Sequence, residues 1–139
     1  MESSVTWRDG MAFDAALEGF TFGIDADPAV GGRGLGPKPK GLVLTALCGC
    51  TAMDVISILT KMRVPLTGFS VDASTELTDT HPKVFTAVTV NYRFTGEDLP
   101  LAKLQRAVSL SEESYCGVTA MLKKHTQVES AIWVNGERV

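Results

Sequence analysis

The chain has 139 residues, 45% hydrophobic and 21% charged, with a formal net charge of −3. That length suits one domain, 1–139, able to bury a core without a disulfide or metal staple. The composition excludes collagen, coiled-coil and disordered classes, and the negative balance argues against a nucleic-acid partner.

Near the N-terminus, Val5 and Trp7, then Phe13, Ala15 and Leu17, then Phe20, Phe22 and Ile24 recur every second residue. Asp9-Gly10 and Glu18-Gly19 separate the runs, so the pattern predicts a three-strand meander with tight turns. The first residues carry no basic, apolar leader, and a secretory signal is not expected. Three cysteines are too few and too odd a number for a disulfide framework. We therefore expect a cytoplasmic protein, where a retained thiol pair is more often catalytic or metal-binding than structural.

A loop rich in Gly and Pro follows, residues 27–39, and leads into a long helix at about residues 39–62 that Pro65 stops. Residues 41–59 are apolar and about long enough to span a bilayer. Asp54 lies inside them, and an aspartate near the middle of a span costs about 3 kcal/mol on insertion scales. The segment is therefore expected to be a buried helix, with no membrane partner.

Two strands come next. Phe69, Val71, Ala73, Thr75 and Leu77 share one face of the first; Val84, Thr86, Val88, Val90, Tyr92 and Phe94 share one face of the second, and residues 79–83 make the hairpin turn. Asp98 is expected to cap a helix with Pro100 in its first turn and Leu101, Leu104 and Val108 as its apolar stripe. A short helix over about residues 116–124 and a last strand with Val128, Ile132 and Val134 complete the order, with Trp133 on the strand's other face. Runs of strands separated by helices predict an α+β class with mainly antiparallel pairing. A helix apolar nearly all round needs more cover than one small domain supplies, so a second copy of the chain is the expected cover.

The glycine-rich loop does not match a P-loop, because Gly36 is followed by Pro37-Lys38-Pro39 rather than Gly-Lys and a hydroxyl residue. Cys48 and Cys50, two apart on a helix, point to nearly opposite sides and cannot share a metal. Zinc held by Cys48, Cys50, Cys116 and His125 is disfavoured, and no metal or cofactor is expected. Cys116 stands where a helix starts, which stabilises a thiolate, while Glu112 and Glu113 oppose it; a small buried hydrophobe is the alternative. His81 in a turn and His125 at a helix end offer no Ser–His–Asp arrangement. Asp54, one turn after Cys50, would oppose a thiolate if close to it, or else serve as hydrogen-bonded structure.

Residues 36–55, from Gly36-Pro37-Lys38-Pro39 through Leu47-Cys48-Gly49-Cys50-Thr51-Ala52-Met53-Asp54-Val55, resemble the central-helix motif of the OsmC/Ohr family, closest to its YhfA-like branch. Lys61-Met62-Arg63 continues the match, and Tyr115-Cys116-Gly117-Val118-Thr119-Ala120-Met121-Leu122 resembles the family's second-cysteine motif. The order of strands and helices fits along essentially the whole chain. The resemblance implies an OsmC-like fold: an intertwined homodimer, sheets around two central helices. It also implies thiol-dependent reduction of organic hydroperoxides at the interface, with a dithiol as reductant. By the matching positions, Cys50 attacks the peroxide, Cys116 resolves the sulfenic acid as a disulfide, and Cys48 packs. Arg33 is the candidate arginine for the thiolate, by its loop position. The family's glutamate after the proline at the helix start is absent, since Lys40-Gly41 stand there, and slower chemistry is expected. A non-catalytic dimeric small-molecule-binding protein and a redox sensor remain open beside the peroxidase.

Overall fold

β1 (Ser3–Asp9), β2 (Ala12–Leu17) and β3 (Phe20–Ile24) form an antiparallel sheet in the order β1-β2-β3. The computed structural model describes all residues, Met1–Val139. The chain divides into two compact units, Met1–Val43 and Leu44–Val139. In the first, the left-handed turn residues at Gly10 and Glu18-Gly19 close the two hairpins. Ala12 and Ala15 are buried, whereas Trp7 is 65% and Phe20 76% exposed. This sheet therefore leaves large apolar side chains uncovered.

The glycine-rich loop is organised from inside. The buried Asp25 carboxylate accepts the backbone N–H groups of Ala26, Arg33 and Leu35, at 2.8, 2.8 and 3.2 Å. Those bonds, the Arg33 N–H first, hold its pKa below the ordinary value. Gly36 is required for a different reason: a Cβ there would run into the Gly23 carbonyl. The loop's donors serve its own carboxylate, which accounts for a glycine-rich sequence that lacks a P-loop signature.

In the second unit, β4 (Gly68–Leu77), β5 (Phe85–Thr95), β6 (Gln127–Val134) and β7 (Glu137–Arg138) form one sheet in that order. The β4–β5 and β6–β7 pairs are antiparallel; β5–β6 is parallel, with Tyr92 opposite Ile132. A parallel pair needs a crossover. Here α2 (Leu101–Leu110), a π-helical turn (Ser111–Tyr115) and α3 (Gly117–Leu122) provide it.

α1 (Pro39–Lys61) carries the expected long helix. By length and composition it is the one helix that could cross a membrane. Its buried residues are Leu47, Thr51, Val55 and Leu59, a single stripe at i+4 spacing. The stripe packs on Val88, Val90, Tyr92 and Phe94 of β5 and on Leu104, Ala107 and Val108 of α2. Phe69 stacks on Phe94 with centroids 4.8 Å apart. Away from the stripe, Met53 is 76% and Ile56 42% exposed. The helix is thus covered by its own chain along one face, not all round, because one sheet and one short helix can reach only one side.

Two details of α2 correct the sequence expectation. Pro100, not Asp98, occupies the cap position, with no side-chain cap bond; Asp98 adopts positive φ in the preceding turn. Leu101 is exposed, and Ala107 joins Leu104 and Val108 in the buried stripe.

Candidate functional site

Cys50 and Asp54 lie four residues apart on α1, a spacing that stacks side chains on one helix face. The π-helical turn after α2 brings the third group. Its widened hydrogen bond, Cys116 N–H to the Ser111 carbonyl at 2.8 Å, ends α2 and delivers Cys116 as the cap of α3. The Cys50 Sγ, the Cys116 Sγ and an Asp54 carboxylate oxygen all lie within 4.8 Å of one another. Cys50 and Asp54 are half-buried and Cys116 is buried.

The Cys116 Sγ accepts the Thr119 N–H at 3.4 Å. Burial nevertheless pushes the Cys116 thiol above its ordinary pKa; the Thr119 hydroxyl and N–H pull the other way, and Cys50 adds to the rise. The helix-start position therefore does not make Cys116 an acidic thiol, because desolvation outweighs the local N–H groups. The Thr119 hydroxyl is itself buried without a hydrogen-bond partner, so the N–H is the Thr119 group that bonds the sulfur. Cys48 stands apart: burial, then the charge of Asp72, pushes its thiol up as well.

A row of hydroxyls backs the cluster. The Ser111 Oγ donates to the Asp54 Oδ2 at 3.0 Å, and Thr51 Oγ1 lies 2.8 Å from both the Ser111 Oγ and the Tyr92 Oη. Tyr92 in turn donates to Glu112 Oε1 at 3.1 Å, and Lys123 Nζ stands 3.6 Å from Glu112 Oε2. Thr51, Ser111 and Tyr92 are almost fully buried. Burial, first of all, raises the Tyr92 pKa far above its ordinary value, so the phenol stays protonated and available as donor. Three hydroxyl protons serve four oxygen–oxygen contacts. With both carboxylates ionised, Thr51 can donate to only one of its two neighbours. Asp54 also lines a cavity of about 390 Å³ with Ser57, Ile58, Lys61, Met62, Leu110 and Tyr115.

Among the residues singled out from sequence, Cys50 and Cys116 come together, with Asp54 beside both. Cys48 takes no part in the cluster. Arg33 belongs to the first unit, where its guanidinium pairs with Asp9. His81 and His125 are exposed. The hydroxyl row of Thr51, Tyr92 and Ser111 was not anticipated. Its one signal in the sequence is Thr51 itself, a polar residue in the i+4 stripe between Leu47 and Val55.

Residues 31–131 match the family model described as OsmC-like protein. The chain is 34% identical to Protein YhfA of Escherichia coli strain K12 over 129 residues, covering 92% of this chain and 93% of that one. Its fold is similar to that of a hypothetical protein from Aquifex aeolicus VF5, with a TM-score of 0.85 and 24% identity over 96% and 95% of the two chains. It is similar also to an organic hydroperoxide resistance protein OsmC from Legionella pneumophila, with a TM-score of 0.72 and 17% identity over 96% of each chain.

Proposed function

The chain belongs to the OsmC-like family, and from that premise we propose that it is a thiol peroxidase acting on organic hydroperoxides. The observation that carries the proposal is the approach of the Cys50 and Cys116 sulfurs to within 4.8 Å. A disulfide requires about 2.05 Å, a gap that side-chain rotation and a small backbone shift can close.

In the proposed cycle the Cys50 thiolate attacks one peroxide oxygen and the O–O bond breaks. The departing alkoxide takes a proton and leaves as the alcohol, and Cys50 becomes a sulfenic acid. Cys116 then attacks the Cys50 sulfur. The S–O bond breaks, hydroxide leaves as water with the Cys116 proton, and a disulfide remains. A dithiol returns two electrons and restores both thiols. The raised pKa of Cys116 suits a resolving thiol that stays protonated until the sulfenic acid forms. An Asp54 carboxylate oxygen within 4.8 Å of both sulfurs repels an attacking thiolate by Coulomb's law, which supports slow rather than fast attack.

The exposed Met53 and Ile56 on α1 and Trp7 and Phe20 on the first sheet support a homodimer, since exposed apolar side chains of this kind mark association surfaces. The proposal treats 1–139 as one OsmC-like domain, places the protein in the cytoplasm, and keeps Arg33 as the candidate cation for the thiolate, a role that calls for release from Asp9.

Hydroperoxide consumption in the presence of a dithiol tests the proposal. Cys50→Ser should abolish turnover, because a hydroxyl is a poor nucleophile at neutral pH. Cys116→Ser should still allow one oxidation per chain, and Cys48→Ser should retain activity. The cavity beside Asp54 favours a second reading, a non-catalytic protein that binds a small apolar molecule. Absence of any turnover in the wild type, with ligand uptake in that cavity, would leave the second reading standing.

A further inference from the structure

We infer that the reduced Cys50, Cys116 and Asp54 form a binding site for one thiophilic divalent cation of the Zn²⁺ type. The inference uses the thiols of the proposed peroxidase but does not depend on it, since a reduced pair can hold a cation whether or not peroxide is turned over.

The donor set fits. Thiolate and carboxylate are both ligands of Zn²⁺, with Zn–S near 2.3 Å and Zn–O near 2.0–2.2 Å. In a tetrahedral site such ligand atoms stand about 3.5–3.8 Å apart, so three atoms within 4.8 Å of one another need contract by only about an ångström. Cys50 and Asp54 supply the i, i+4 pair that lets a single helix contribute two ligands, and Cys116 enters from a different element. Three protein ligands leave the fourth position open to water.

The surroundings hold two of these groups as an outer shell holds metal ligands. Ser111 donates to one Asp54 oxygen at 3.0 Å and leaves the other free to bind. The Thr119 N–H points at the Cys116 sulfur at 3.4 Å. Asp54 also lines the 390 Å³ cavity, so one of the three ligands is reached from an open space. The charge balance is also reasonable. Two thiolates and a carboxylate carry three negative charges, and a dication neutralises two of them. A carboxylate within 4.8 Å of two thiols is unhelpful to a lone thiolate nucleophile and well suited to a shared cation.

The test is titration of the fully reduced, intact protein with Co²⁺ under anaerobic conditions, followed by Zn²⁺. We expect one Co²⁺ per chain, a thiolate-to-cobalt charge-transfer band, and displacement by Zn²⁺. Cys50→Ser and Cys116→Ser should lose the band, Asp54→Asn should weaken binding about tenfold or more, and Cys48→Ser should leave it unchanged. A wild-type readout guards against variants that fail to fold: bound Zn²⁺ should slow alkylation of Cys50 and Cys116 at least tenfold and leave Cys48 unaffected. No charge-transfer band in the reduced wild type, a band that survives Cys116→Ser, or equal protection of Cys48 would each overturn the inference.

Discussion

Two opposing effects meet at Cys116. Its sulfur accepts the Thr119 N–H, which favours a thiolate, yet the residue is only 2% exposed and desolvation prevails. In the folded protein the neutral thiol is favoured, so its alkylation should rise with pH through a midpoint above the ordinary thiol value of about 8.5. The sign for stability follows. A thiol pKa raised on folding contributes stability below the unfolded value and loses it as pH rises through the folded one. Alkylation rates of Cys116 in Cys48→Ser, measured folded and in urea, check this; a folded midpoint at or below the unfolded one would contradict the burial argument. Asp54 acts on the pair through its charge. Asp54→Asn removes an anion within 4.8 Å of both sulfurs and should speed single-turnover oxidation of Cys50 several-fold, in metal-free buffer. A slower reaction would mean that the carboxylate assists the thiol. Little of this was legible in the sequence. Periodicity placed Asp54 on the face of Cys50, but the approach of Cys116 depends on how α2 and the turn after it fold back, which local spacing does not encode. The pairing came from the family resemblance instead.

At the scale of elements, α1 is fixed by its stripe, and Thr51 is the stripe's polar member. It is fully buried between the Tyr92 and Ser111 hydroxyls, 2.8 Å from each. Thr51→Val keeps the shape but removes the one hydrogen bond that Thr51 donates, while Ser111 and Tyr92 keep theirs to Asp54 and Glu112; the loss costs about 1 kcal/mol. A urea titration should show a lower midpoint with unchanged slope, whereas an unchanged midpoint would mean that water or a rearranged Ser111–Tyr92 contact replaces the bond. β1 to β6 were legible from their period of two, and α1 from its apolar run and the Pro65 stop; β7, only two residues long, is too short to show a period and was not anticipated. The parallel β5–β6 pair was not, since alternation says which face is buried and nothing about the direction of the neighbour. The cap of α2 was misplaced because Asp98 matches the residue type of a cap, while the backbone takes a left-handed turn there and the helix begins only after Pro100.

For the whole molecule, the uncovered apolar side chains decide what to expect. Met53, Ile56, Trp7 and Phe20 are exposed in the single chain, and a chain that depends on a partner to cover them should unfold as it dissociates. Sedimentation and circular dichroism over a dilution series should show dimer giving way to unfolded chain; a stable, folded monomer at all concentrations would contradict this. The proposed chemistry rests on one pair of sulfur atoms, and its most direct test is a peptide map after mild treatment with an organic hydroperoxide. The expected product is a single Cys50–Cys116 disulfide in each chain, with Cys48 as the one thiol still open to alkylation. A bridge to Cys48, or three free thiols after exposure to the peroxide, would contradict the proposed cycle.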